Sequence, residues 1–175
     1  MIHLYTGEGK GKTTAAAGLC IRAAGQDLQV CFAQFMKGND SGELHVLRGI
    51  PGVTILRSGK NYGFYGGMSE KDKEELTAIH NQILDRLLEE TDSGACHMII
   101  LDEVTYPVKW GLLDMGKLER LLASGKSGGG SEVEIVLTGR DAGEMLEASA
   151  DYITRMECVR HPYALGVRAR RGIEF

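Results

Sequence analysis

The chain has 175 residues, 24 of them glycine, with 20 basic and 24 acidic side chains and a formal charge of −4. That length suits one domain spanning residues 1–175, able to bury about two thirds of its unfolded surface. The acidic balance argues against a general nucleic-acid binder, which carries a basic face.

The first apolar run, residues 2–5, reads as a buried strand. Thr6-Gly7-Glu8-Gly9-Lys10-Gly11-Lys12-Thr13-Thr14 follows, and Ala15, Ala16 and Ala17 then open a helix predicted over residues 13–24 and closed by Gly25. Strand, glycine loop and helix start, in that order, aim backbone N–H groups at one point, where the helix dipole also favours an anion. The three loop glycines let the backbone curl around phosphate, Lys12 supplies a point charge, and Thr13 supplies a hydroxyl suited to Mg²⁺. The usual loop has four residues between its first glycine and the Gly-Lys-Thr; here only three separate Gly7 from Gly11. Such a cradle should hold phosphates differently from a kinase. The plainer alternative is a glycine-rich turn with a solvated lysine.

Residues 30–35 and 53–56 read as two further strands. Residues 58–68, rich in glycine and aromatics, read as a mobile loop. A helix is predicted over residues 69–90, with Leu76, Ile79, Ile83, Leu84, Leu87 and Leu88 on one face and a capping box from Ser69 to Asp72. Residues 98–101 form a strand ending in Asp102-Glu103, and residues 124–131 read as a polar surface turn. Residues 135–137 form a strand ending in Thr138-Gly139-Arg140; Asp141 is expected to cap a helix to about residue 149, before a last strand at 152–156.

This alternation predicts an α/β fold of the three-layer, phosphate-loop NTPase-like (RecA-like) kind, a mostly parallel sheet with helices on both faces. Ligands of such sheets bind beyond the carboxyl ends of the strands. The loop, Gln34, Asp102, Glu103 and Arg140 all fall at those ends.

Asp102 and Glu103 close an apolar strand as metal-binding acids do; one would reach Mg²⁺ while the other bonds Thr13 or the loop. The alternative is an acidic corner facing solvent. Arg140 offers a donor fork for phosphate, or else pairs with Asp141 or Glu144. Lys10 and Lys37 lie in loops at the same end. His80 and His97 read as structural, and His161 sits in an arginine-rich tail. Cys20, Cys31, Cys96 and Cys158 are scattered and read as reduced thiols. With no membrane-length apolar run and no room for a leader before the first strand, a cytoplasmic location without membrane attachment is expected.

Five motifs stand in order: residues 7–16, Gln34-Phe35-Met36-Lys37-Gly38, Leu101-Asp102-Glu103-Val104-Thr105-Tyr106, Leu137-Thr138-Gly139-Arg140, and the closing residues 166–174. Together they resemble the phosphate-loop type of ATP:corrinoid adenosyltransferase, of the cobalamin pathway. The resemblance implies transfer of the 5′-deoxyadenosyl group of ATP to a Co(I) corrinoid with release of triphosphate. It places Gly7, Glu8, Gly9, Lys10, Gly11, Lys12, Thr13, Thr14 and Arg140 on ATP, and Thr13 with Glu103, and Asp102 beside it, on Mg²⁺. Lys12, Thr13 and Glu103 become the catalytic set, ATP lies reversed in the short cradle, and an electron donor supplies Co(I).

The family's Gly-Phe-x-Trp element appears here as Gly63-Phe64-Tyr65-Gly66, so Phe64, with Tyr62 and Tyr65, is expected to face the corrinoid and the tryptophan is absent. Some relatives also carry a helix before the first strand, which points to a more open corrinoid site or one completed by a second subunit; relatives are commonly homodimers. A phosphate-loop nucleoside kinase and a non-catalytic ATP or corrinoid carrier are the rival readings.

Overall fold

Alternating apolar strands and helical stripes along the chain give a six-stranded sheet whose every pairing is parallel. The computed structural model describes residues 1–38, 41–125 and 133–173. In chain order the elements are β1 (Ile2–Thr6), α1 (Lys12–Ala24), β2 (Val30–Gln34), α2 (Gly42–Leu47), β3 (Val53–Arg57) and α3 (Glu70–Asp92). Then come β4 (Met98–Asp102), α4 (Thr105–Trp110), α5 (Met115–Ser124), β5 (Glu134–Thr138), α6 (Gly143–Ser149) and β6 (Tyr152–Arg155). The strands lie side by side as β3-β2-β4-β5-β1-β6.

Successive strand residues face opposite sides, so two cores form. On one side Ile2, Leu4, Ala33, Ile99, Leu101, Ile135 and Leu137 pack against Leu84 and Leu87 of α3, Leu118 and Leu121 of α5, and Leu146 of α6. On the other, Phe32, Ile100 and Val136 pack against Ala16, Ala17, Cys20 and Ala23 of α1 and Leu47 of α2. Small residues on α1 let its backbone approach the sheet closely, which sets the phosphate loop directly over the strand ends. The expected three layers are present, and the sheet is wholly parallel.

The capping box at Ser69 and Asp72 closes both ways: Ser69 Oγ accepts from Asp72 N at 3.1 Å, and Asp72 Oδ2 accepts from Ser69 N at 3.2 Å. Asp141, by contrast, caps nothing. Its backbone is left-handed (φ 50°), α6 begins two residues later behind Ala142, and its carboxylate pairs with Lys109 instead. The sequence reading also passed over α2, α4 and α5. The stretch at 58–68 is laid out in defined turns: Ser58 Oγ donates to Lys60 O, Asn61 Oδ1 accepts from Gly63 N, and Tyr65–Gly67 make a single 3₁₀ turn. Most of the polar turn at 124–131 lies outside the described residues. The outer strand β6 is exposed at all four positions. Among the described residues no helix is long and apolar enough to cross a membrane.

Candidate active site

Register brings the candidate site residues together. Gln34 at the end of β2 pairs with Asp102 at the end of β4, and Tyr5 pairs with Thr138 across β1 and β5. The phosphate loop leaves β1 between these ends. Gly7 has φ +97°, and a Cβ there would lie 2.5 Å from Met156 O, so only glycine lets the loop lie against the chain leaving β6. Gly9 N donates to that same carbonyl at 2.7 Å. Gly11 precedes α1, and among the described residues no side chain caps its first-turn N–H groups.

Lys12 is buried and folds back into the loop, donating to Gly7 O at 2.7 Å and Gly9 O at 2.6 Å. Burial, then the nearby Arg140 charge, lowers its pKa from the usual lysine value. Its two partners are neutral carbonyls, readily exchanged for phosphate oxygens. Arg140 Nη1 pairs with Glu8 Oε2 at 3.1 Å, so its anionic partner is the loop and neither Asp141 nor Glu144. Lys10 is exposed in the loop.

Asp102 is the hub of the site. It is fully buried and accepts four hydrogen bonds: from Thr13 Oγ1 (2.8 Å) and Thr138 Oγ1 (2.7 Å) on one oxygen, and from Gln34 Nε2 (3.2 Å) and Lys37 Nζ (2.8 Å) on the other. Glu103 turns outward with φ +64° and 24% of its side chain exposed, and it lines the cavity that Asp102 does not reach. Burial raises its carboxyl above the usual range, with Lys37 pulling the other way. The residue pattern alone leaves open which acid reaches the metal, and the family resemblance names Glu103; the fold gives Asp102 to Thr13 and Glu103 to the cavity.

Thr13 Oγ1 and the two carboxylates are hard oxygen donors, which suit Mg²⁺. A cation fits among them, for the Lys37 ammonium already sits there. Among the described residues no group of three or more His, Cys, Asp or Glu side chains could hold a metal alone. A magnesium ion here would therefore share its coordination with phosphate oxygens and water.

Thr13 and Thr14 open into a cavity of about 830 Å³, bounded across from them by Phe64, Tyr65, Tyr106 and Trp110. Such a volume is ample for a nucleotide-sized ligand. Phe64 stands 94% exposed at its rim. Tyr65 and Trp110 stack at 4.5 Å and 8°, and Trp110 and Tyr106 at 5.0 Å and 23°, so three rings form one continuous wall. Position 66 carries no tryptophan, yet α4 delivers one to the same wall from another part of the chain. Tyr62 departs from expectation: it does not line the cavity, and its ring packs on the Met68, Leu76 and Leu112 cluster beneath Lys60 Nζ at 4.4 Å. The sequence reading also missed Ser41, a cavity-lining residue whose buried hydroxyl has no hydrogen-bond partner among the described residues.

Gly139 has φ +149°, and a Cβ there would meet Thr105 Oγ1 at 2.0 Å, so the Thr-Gly-Arg turn nests against the start of α4. His80 braces the cavity from behind. Its Nδ1 bonds Leu112 O at 2.9 Å and its Nε2 accepts from Met36 N at 3.4 Å, an arrangement only the neutral ring satisfies. Burial lowers its pKa from 6.5 to about 4. The unfolded chain therefore takes up the proton first: stability is full above about pH 6.5 and falls as pH drops toward about 4. Urea unfolding should show a loss of about 2 kcal/mol between pH 7 and pH 5. His80→Gln should flatten that dependence; an unchanged slope would assign it to other groups.

The family model described as ATP:corrinoid adenosyltransferase BtuR/CobO/CobP matches residues 1–175. A corrinoid adenosyltransferase of Pseudomonas aeruginosa is 31% identical, covering 100% of this chain and 83% of that protein. One from Sinorhizobium sp is 29% identical over 100% of this chain and 80% of its own. Corrinoid adenosyltransferase CobA of Salmonella typhimurium is 30% identical, covering 100% and 85%. Among solved structures, EssC (ATPases 2 and 3) from Geobacillus thermodenitrificans superposes with a TM-score of 0.50 at 15% identity, over 98% of this chain and 34% of that one, a likeness of fold alone. With the family pattern running the whole length of a chain that carries this cradle, acid pair and cavity, the protein belongs to the ATP:corrinoid adenosyltransferases, which transfer the adenosyl group of ATP to a corrinoid.

Proposed function

We propose that this chain alkylates the Co(I) of a corrinoid at the 5′-carbon of ATP and releases triphosphate. The observation that carries the reading is the convergence of the loop's Thr13 and Thr14, Glu103 and the aromatic wall on one cavity. The triphosphate would lie along the cradle, with Lys12 and the first-turn N–H groups of α1 on its oxygens and Arg140 at its edge. The corrin, a broad and largely apolar ring, would lie against Phe64 and the Tyr65–Trp110–Tyr106 stack.

In this reaction the cobalt electron pair forms the Co–C5′ bond while the C5′–O bond breaks. Cobalt goes formally from Co(I) to Co(III), and the triphosphate leaves with the bonding pair. No protein nucleophile or base is needed at the reacting carbon. The protein's task is to hold C5′ toward the metal and stabilise the negative charge growing on the departing oxygen, which preorganised donors do in a partly dry site. Thr13, Glu103 and, behind them, Asp102 would hold Mg²⁺, which when bound neutralises part of the phosphate charge. An apolar wall beneath the ring disfavours a lower nitrogen ligand and so eases reduction to Co(I) by a separate electron donor.

The direct test incubates the protein with Mg²⁺-ATP and chemically reduced cobalamin. Loss of the Co(I) absorption, appearance of a light-sensitive alkyl-cobalt spectrum and stoichiometric triphosphate are expected. ADP with unchanged corrinoid would overturn the reading and favour a kinase. Trp110→Ala should raise KM for the corrinoid by up to ~10-fold, the scale of ~0.5–1.5 kcal/mol per aromatic contact, and leave KM for ATP nearly unchanged. Equal changes in both constants would remove Trp110 from the corrinoid side.

A further inference from the structure

Lys37 occupies an unusual position for a loop lysine. Its Nζ lies 2.8 Å from Asp102 Oδ2, 3.1 Å from Thr13 Oγ1 and 3.8 Å from Glu103 Oε1. These three groups are the hard oxygen donors already assigned to a divalent cation. Thr13 gives its proton to Asp102 Oδ1, so the oxygen facing Lys37 offers a lone pair, the face a metal would use.

The placement is built in rather than incidental. Met36 holds a left-handed backbone (φ 59°) that turns the chain back toward the strand ends, and its N–H is fixed by His80 Nε2. Arg57 Nη2 donates to Lys37 O at 3.2 Å, fixing the next peptide. The side chain retains 31% exposure, leaving its outer side open to the cavity. Burial opposes the ammonium, but Asp102 and Glu103 outweigh it and hold its pKa above the ordinary lysine value.

We propose that Lys37 is a tethered placeholder for the metal: its ammonium fills the cation position while the cradle is empty and yields it when Mg²⁺ arrives with the triphosphate. The flexible stem then lets the displaced charge swing onto the incoming phosphates, in reach of the same cavity. Two consequences follow. The acid pair is never left uncompensated in the empty enzyme, and divalent metal binds appreciably only together with nucleotide. This rests on reading the cradle as a Mg²⁺-triphosphate site.

Mn²⁺ is a suitable probe, because its free and bound forms are counted directly by electron paramagnetic resonance. Wild-type protein without nucleotide should bind Mn²⁺ weakly, and with ATP should retain it. Lys37→Met and Lys37→Gln, each checked for a native melting transition, should bind Mn²⁺ without nucleotide at least ~10-fold more tightly than wild type. If both folded variants match wild type without nucleotide while all three retain Mn²⁺ with ATP, the placeholder role is overturned and the triphosphate site stands. If none retains Mn²⁺ even with ATP, the reading of the site itself fails, and the inference with it.

Discussion

Lys12→Ala is expected to lower kcat by ~10²–10³, the scale of losing one donor that meets developing charge. In the proposed reaction the triphosphate would gain negative charge as the C5′–O bond opens, and Lys12 is the buried cation at the cradle's floor. Other cations are poorly placed to replace it: Arg140 is exposed and tied to Glu8, and Lys37 approaches from the acid-pair side of the cavity and not from within the loop. Its present partners, Gly7 O and Gly9 O, are carbonyls that gain little from a positive charge compared with phosphate. Single-turnover decay of Co(I) absorbance measures the effect, with a thermal melt to separate lost chemistry from lost fold. Turnover near the wild-type rate in a folded variant would move leaving-group stabilisation to another residue.

Asp102→Ala should destabilise the protein by ~3 kcal/mol or more, the cost of removing one partner from a buried charge pair. Thr13, Thr138 and Gln34 would each lose their acceptor, in a region with no water-facing alternative for Thr138. Lys37 is partly exposed and can turn to solvent, which holds the loss toward the lower end of the range. Asp102→Asn should fall between, since the amide keeps an acceptor oxygen but repels the donors on its other side. Urea unfolding checks the ranking, and an Asp102→Ala protein as stable as wild type would mean that this network contributes nothing to the fold. Activity should disappear in Asp102→Ala, where Thr13 loses the group that orients its hydroxyl, and fall less far in Asp102→Asn, which keeps one acceptor oxygen but no charge to hold the cation.

The strands were legible because each is a short apolar run closed by residues that cannot continue it, such as Gly7 after β1 and Gly139 after β5. The strand-end chemistry follows from the sheet rule, which groups the loop, Asp102, Glu103 and Arg140 from the sequence alone. What escaped was tertiary. Pro107 reads as a helix breaker, yet it sits in the first turn of α4, where a missing N–H costs nothing, and Trp110 was lost along with the helix. The signal for α5 stands in the sequence: Asp114 caps it through Lys117 N, and Leu118, Leu121 and Leu122 share a face. Asp141 misled because a capping residue needs extended backbone, whereas this one is left-handed and drawn toward Lys109. Lys37 could not be ranked from sequence, since its reach depends on a positive φ at Met36 that no local pattern announces.

The contact between Gly9 and Met156 makes the outermost strand a clamp on the nucleotide loop. β6 is four residues long, lies at the edge of the sheet formed by the described residues and is exposed throughout, so it is the strand most prone to brief local opening. Each such opening would free the Gly9 amide and slacken the loop, while the interior strands stay paired. Amide hydrogen exchange at Gly9 should therefore keep pace with β6 and not with α1, and ATP should slow both together. If Gly9 exchanges at the rate of α1 instead, the two are not linked. Where they are linked, the lifetime of the closed cradle is set at the sheet's frayed margin, and nucleotide binding tightens the edge of the sheet as much as its centre.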